Sequence, residues 1–151
     1  MSGSSGLSQP ARALQRRQGN APAGGAPHAL GRNWFAPTVL AEATSQMLLA
    51  REETFGPVAP LLRFTEEAQV VAAANSLEYG LGAYVYSRDH ARIWRVVDAL
   101  ETGVIGVNSG LISTALAPFG GVKQSGNGRE GSHHGIEEYL VIKYVCLGGL
   151  S

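Results

Sequence analysis

The sequence predicts an α/β fold, a mostly parallel sheet with flanking helices. Three observations carry this. Short apolar runs alternate with longer amphipathic ones in the order strand, helix, strand, helix, strand between Pro60 and Asn108. Val104 to Asn108 begins as a continuous apolar run, as in a strand covered on both faces. Parallel strands joined through helices take a right-handed crossover. The 151 residues, 44% hydrophobic and 16% charged, are enough for at most one domain with a core, and they are not disordered in composition.

Residues 1–23 read differently from the rest. Met-Ser-Gly-Ser-Ser-Gly is flexible and tag-like, and the segment is expected to be that or a truncated remnant. Arg12, Arg16 and Arg17 with few acids also fit a mitochondrial transit peptide, but the apolar half of an amphipathic helix is thin. Gly24 to Gly31 reads as a loop. Phe35 to Leu40 is a short strand or turn, with Pro37 favouring an edge.

Pro60 to Phe64 reads as a strand. Thr65 is placed to cap a helix running to about Asn75, with Glu66 and Glu67 at its positive end and Ala68, Val71 and Ala72 as its apolar stripe. Leu81 to Tyr86 is a strand rich in aromatics. Asp89 can cap a second helix, whose Ile93, Trp94, Val97 and Leu100 fall on one side and which Gly103 stops. Ser109 to Gly131 is a long, glycine-punctuated loop, and long loops in compact domains are usually functional. Gly131 to Glu138 suits one or two helical turns. Tyr139 to Leu147 reads as a terminal strand with an open edge, Lys143 its main charge.

Composition excludes several functions. A formal net charge of zero gives no reason to expect nucleic acid or an anionic membrane as partner. No run of about 18 apolar residues exists, so no helix is expected to span a membrane. One cysteine excludes an internal disulfide framework. That cysteine, Cys146, sits in an apolar run without an adjacent histidine and is expected to pack as a small hydrophobe. His133 and His134 are adjacent and diverge, and His28 and His90 are isolated, so no metal site is expected.

The stretch Arg51-Glu-Glu-Thr-Phe-Gly-Pro57 stands out, because ordinary packing does not ask for it. Two acids would not be buried unpaired, and a plain solvent loop does not need Phe55. An acid and an aromatic two residues apart, fixed by Gly56 and Pro57, suit a hinge holding a polar and a flat ligand group together; a turn with a core-anchoring Phe is the plainer alternative. Val104-Ile-Gly-Val-Asn108, Pro118-Phe-Gly-Gly-Val-Lys123, Ser125-Gly-Asn-Gly-Arg-Glu130 and Tyr139-Leu-Val-Ile-Lys143 follow it. Together these motifs resemble the aldehyde dehydrogenase superfamily, in that family's order, from about Gly24 to the end. Gly110-Leu-Ile-Ser113 and the ending Lys143-Tyr-Val-Cys-Leu-Gly-Gly-Leu150 are similar to its succinate-semialdehyde dehydrogenase branch.

The resemblance implies that residues 24–138 are part of the catalytic domain and that 139–151 is an oligomerisation strand and tail. It implies NAD or NADP as cofactor, a small aldehyde as substrate, a homo-oligomer, and a soluble location in cytoplasm or mitochondrial matrix. The family's nucleophilic cysteine, main glutamate base and glycine-rich nucleotide segment lie upstream of these motifs, so the isolated chain is expected to be inactive. A non-catalytic binding or assembly module is the alternative.

Residue by residue, the resemblance assigns Glu53 to the nicotinamide-ribose hydroxyls and Phe55 to the nicotinamide side. A carboxylate accepting two hydroxyls and an aromatic face against a flat ring agree with this. Phe119 resembles the aromatic that walls the aldehyde pocket, and a core anchor is its alternative. Ser113 resembles the hydroxyl that holds the distal carboxylate of succinate semialdehyde; a turn-forming serine competes. Glu130 matches an acid assigned to a proton relay, against an Arg129 salt bridge or a helix N-terminal acid.

Overall fold

Along one strand the buried positions are Thr38, Leu40 and then Ala43, and this broken alternation explains the first sheet. Side chains on a strand change face at every residue, so the step from Leu40 to Ala43 needs one residue too many. Glu42 supplies it by adopting φ 55°, and the ladder shifts between Leu40 and Ala43. The computed structural model describes residues 20–31 and 34–149. These divide into two compact units, one ending at Gln69 and the other starting at Val70.

In the first unit, β1 (Asn20–Ala23), β2 (Thr38–Ala43) and β3 (Val58–Leu62) form a sheet in that order. β1 runs antiparallel to β2, and β3 runs parallel to it. Pro60 is tolerated because β3 is an edge strand. Thr38 is buried yet satisfied: its Oγ1 accepts from Gly25 N–H at 2.9 Å and donates to Ala36 O at 2.8 Å. A short 3-10 helix, Leu48–Ala50, follows β2. Residues 1–19, which hold most of the tag-like segment, lie outside the described residues.

The division between the units falls inside α1 (Glu67–Asn75). The second unit continues with β4 (Tyr79–Gly80), β5 (Gly82–Val85), α2 (His90–Ala99), β6 (Val104–Val107), β7 (Val122–Lys123) and a 3-10 helix, His134–Tyr139. β5 and β6 pair in parallel, Gly82 against Val104 through Val85 against Val107, with α2 between them in the chain. β4 and β7 pair antiparallel. The α/β alternation is therefore present, but the described strands form three small sheets, of mixed, antiparallel and parallel pairing, where one mostly parallel sheet was expected.

Asp89 caps α2 as its position predicts, accepting from Arg92 N–H at 3.0 Å. That bond is the main reason its carboxyl is held below the ordinary value of 3.8. Ile93 is the buried residue of the helix. Three expectations differ. Thr65 is not the N-cap of α1: the helix begins at Glu67, and the Thr65 amide donates to Gln69 Oε1 at 3.4 Å. Gly103 does not stop α2, which ends at Ala99 with Leu100 extended. Asn75 closes that end instead, donating from Nδ2 to Ala99 O at 2.8 Å and accepting Glu101 N–H at 2.9 Å. Gly103 is glycine for another reason: a Cβ there would collide with the backbone carbonyl of Gly120.

The third difference is the terminal strand. Residues 140–149 form no ladder among the described residues, and Val141, Ile142 and Tyr144 are almost fully exposed. An apolar pattern gives a strand only where a second strand accepts its hydrogen bonds. Cys146 is accordingly exposed, not packed. No helix among the described residues is long and apolar enough to cross a membrane.

Candidate active site

The loop expected between Ser109 and Gly131 is not structureless. Lys123, at φ 55°, closes β7 against β4 and sends its side chain to the end of α1. Its Nζ donates to Asn75 O at 2.8 Å and Leu77 O at 3.2 Å and pairs with Glu101 Oε2 at 2.5 Å. A cation at the carbonyl end of a helix is favourable, and here three acceptors surround it. Either side of this anchor the chain doubles back. Phe119 N–H donates to Glu130 O at 2.8 Å and Glu130 N–H donates to Phe119 O at 2.7 Å, an isolated antiparallel bridge.

That bridge brings together two of the residues singled out in the sequence. Phe119 and Glu130 line a cleft of about 640 Å³, together with several glycines, among them Gly120, Gly121 and Gly128. Arg129 Nη1 donates to the carbonyls of Gly121 and Gly128, each at 2.8 Å, and so braces the turn. The Arg129 salt bridge considered for Glu130 is not formed, because the guanidinium is committed to backbone. Glu130 is exposed and not at a helix N-terminus: the following 3-10 helix starts at His134.

Phe119 also lines a second pocket, of about 460 Å³, together with Ser113. Leu81, Leu111 and Ile112 make that pocket mostly apolar, and the side-chain polar groups along it are the hydroxyls of Ser113 and Tyr84. Such a pocket takes a short carbon chain and offers hydroxyl donors to a polar end. Ser113 and Phe119 thus line one cavity.

Glu53 and Phe55 belong to the first unit. Arg51 anchors the segment before them, donating from Nε to Ser45 O at 3.2 Å and from Nη2 to Gln46 Oε1 at 3.1 Å. After them Pro57 O accepts Thr38 N–H at 2.8 Å, so the Gly56-Pro57 hinge leads directly into the β2–β3 ladder. Glu53 is exposed, and among the described residues its carboxylate has no hydrogen-bond or ion-pair partner. The Phe55 ring is 79% exposed, which excludes the core-anchor alternative within the described residues. No group of three or more His, Cys, Asp or Glu side chains suited to a metal comes together among the described residues.

Comparison with known proteins decides the family. The sequence profile of the aldehyde dehydrogenase family matches residues 11–145. The chain belongs to the aldehyde dehydrogenase family. A 3-sulfolactaldehyde dehydrogenase of Pseudomonas putida is 62% identical over 128 residues, which are 85% of this chain and 26% of that protein. The mitochondrial succinate-semialdehyde dehydrogenase of Homo sapiens is 58% identical over 84% of this chain and 24% of its own length. Among solved structures, the succinate-semialdehyde dehydrogenase of Burkholderia pseudomallei superposes with a TM-score of 0.86 at 55% identity, covering 91% of this chain and 28% of that one. The chain spans about a quarter of the length of the curated relatives it matches.

Within this aldehyde dehydrogenase chain, sequence reasoning missed the residues that hold the site in place. Asn75 and Lys123 act through backbone carbonyls 24 and 48 positions away, and no local pattern signals that. In the sequence Tyr84 stands out only as a strand aromatic. Asn108 marks the end of a strand in the sequence, and an asparagine closing an apolar run is also a signal for a left-handed turn.

Proposed function

We propose that this chain supplies the substrate wall and the ribose clamp of an NAD(P)-dependent aldehyde dehydrogenase. Its substrate is a short aldehyde with an acid group at the far end, succinate semialdehyde first. The observation that carries this is the shared pocket of Ser113 and Phe119, apolar along its length with hydroxyls as its polar side-chain groups. The relatives named for sulfolactaldehyde and succinate semialdehyde support it, since both substrates pair an aldehyde with a distal acid.

Glu53 fits a ribose, because an exposed carboxylate with no competing partner among the described residues can accept two hydroxyls. The exposed Phe55 ring, two residues on, fits the flat nicotinamide. NAD or NADP, when bound, accepts the hydride. Phe119 walls the aldehyde, Ser113 donates to the acid end, and Glu130 takes up a proton as water attacks. The complete enzyme works as a homo-oligomer through residues 139–151.

The test joins this chain to the upstream part of a succinate-semialdehyde dehydrogenase and introduces Ser113→Ala. Loss of one hydrogen bond to a charged group is worth about 1.5–3 kcal/mol, roughly a ten- to hundredfold fall in kcat/KM. A neutral aldehyde of similar length makes no such bond and should be little affected. Equal losses for both substrates, or none for either, would reduce Ser113 to a loop former. The second reading, a non-catalytic assembly module, is favoured by one observation: Cys146, the single cysteine, lines neither pocket. Turnover by the unjoined chain that Cys146→Ala abolishes would exclude that reading.

A further inference from the structure

Asn108 stands where β6 ends, at φ 51°, a conformation that side-chain-bearing residues other than asparagine and aspartate seldom take. Its side-chain amide closes two bonds on a single residue. Ser87 N–H donates to Asn108 Oδ1 at 2.9 Å, and Asn108 Nδ2 donates to Ser87 O at 2.9 Å. Its own N–H donates to Val85 O at 2.8 Å. The exits of β5 and β6 are therefore latched together by one side chain.

Beyond the latch the chain folds back over its own strand. A Cβ built on Gly106 would meet Ile112 Cγ2 at 2.5 Å, Ser109 O at 2.9 Å and Tyr84 Cδ1 at 2.9 Å. Ile112 Cδ1 lies 3.6 Å from the corresponding point on Gly82. Ile112 is thus seated in space that two glycines leave open, beside the Tyr84 ring. Ser113 is the next residue, and it enters the pocket with Phe119.

We infer that Asn108 is a positioning residue for Ser113. Its left-handed backbone and its paired bonds to Ser87 set the path of the chain through Ile112, and so the place of the Ser113 hydroxyl. The functional half of this inference rests on the reading of Ser113 given above; the positioning half does not.

Three variants separate the contributions. Asn108→Gly keeps the backbone conformation and removes the amide. Asn108→Asp keeps the acceptor and loses the donor. Asn108→Ala disfavours the conformation and removes the amide. In the intact chain the reporters are the Ile112 methyl resonances, compared between wild type and variants, with the Ile105 methyls, on the opposite face of β6 from Gly106, as an internal control. All three variants should move the Ile112 signals, alanine most, while the Ile105 signals stay. Ile112 signals unmoved in Asn108→Gly and Asn108→Asp would overturn the inference even if Asn108→Ala does not fold.

In the joined enzyme, Asn108→Asp should raise KM for succinate semialdehyde about tenfold, with a smaller effect on a neutral aldehyde. Moved Ile112 signals without that KM split would uphold the positioning and refute the role of Ser113. A KM split with unmoved signals would refute the positioning.

Discussion

Phe119 and Glu130 exchange both of their backbone hydrogen bonds, and this pairing fixes the position of each by main chain alone. Directly opposed residues of an antiparallel pair present their side chains on one face, which is why both line the same cleft. Structure and chemistry are therefore separable at Glu130. Glu130→Gln should leave the melting temperature within about 1 °C, as a surface substitution does. In the joined enzyme it should slow the steady state by roughly tenfold or more while sparing the first turnover, as for a lost general base. A burst followed by a slow phase would report this; unchanged steady-state turnover would remove Glu130 from the mechanism.

Lys123 is the anchor of the same loop, and its three acceptors cannot be replaced by water without cost. Lys123→Met keeps the stem and removes the charge-assisted bonds, so denaturant unfolding should show a loss of about 1.5–3 kcal/mol. Glu101→Gln removes only one partner and should cost less. A loss for Glu101→Gln as large as that for Lys123→Met would mean that the ion pair, not the bonds to Asn75 O and Leu77 O, holds the loop.

Asp89 gives a pH signature. Its carboxyl is held below the ordinary 3.8 chiefly by the bond from Arg92 N–H. The cap's ionic contribution is then fully present above 3.8 and is lost as pH falls through the lower folded value. Asp89→Asn keeps a good cap without the charge. Helical circular dichroism of the wild type should decline in that acid range by more than that of Asp89→Asn. Superimposable curves would show that the charge adds nothing to the neutral cap.

The exposed apolar segment from Tyr139 to Leu147 should make the isolated chain associate. Size-exclusion chromatography with light scattering should show oligomers or aggregates, and Ile142→Lys should shift them towards monomer. A dilution-resistant wild-type monomer with a cooperative melt would show that this segment has no use for a partner.

What was legible in the sequence was local. Asp89, the helix after it and the apolar run from Val104 all concern neighbours within a turn or a strand and appear where expected. The apolar side expected of that helix does not hold together: Ile93 is buried, Trp94 is exposed and Leu100 lies beyond the helix end. β1, Asn-Ala-Pro-Ala, has almost no strand propensity and exists because β2 pairs with it. Tyr139 to Leu147 is the opposite case, with strong propensity and no pairing partner among the described residues. Of the site, the motifs pointed to Ser113, Phe119 and Glu130; they also contain Asn108 and Lys123, but not the roles of these two as latch and anchor, because the groups they bond lie far along the chain.

The approach of Gly103 to Gly120 limits how this chain can vary. At Gly121 a new side chain would strike the Ser125 side chain first, so a second change, Ser125→Gly, could make room, though it forfeits the Gly80 N–H bond to Ser125 Oγ. At Gly103 the obstacle is the main chain of Gly120, which every amino acid carries. No second-site substitution can clear it. A library randomised at positions 103, 121 and 125 and selected for folding should therefore return paired changes at 121 and 125 and only glycine at 103.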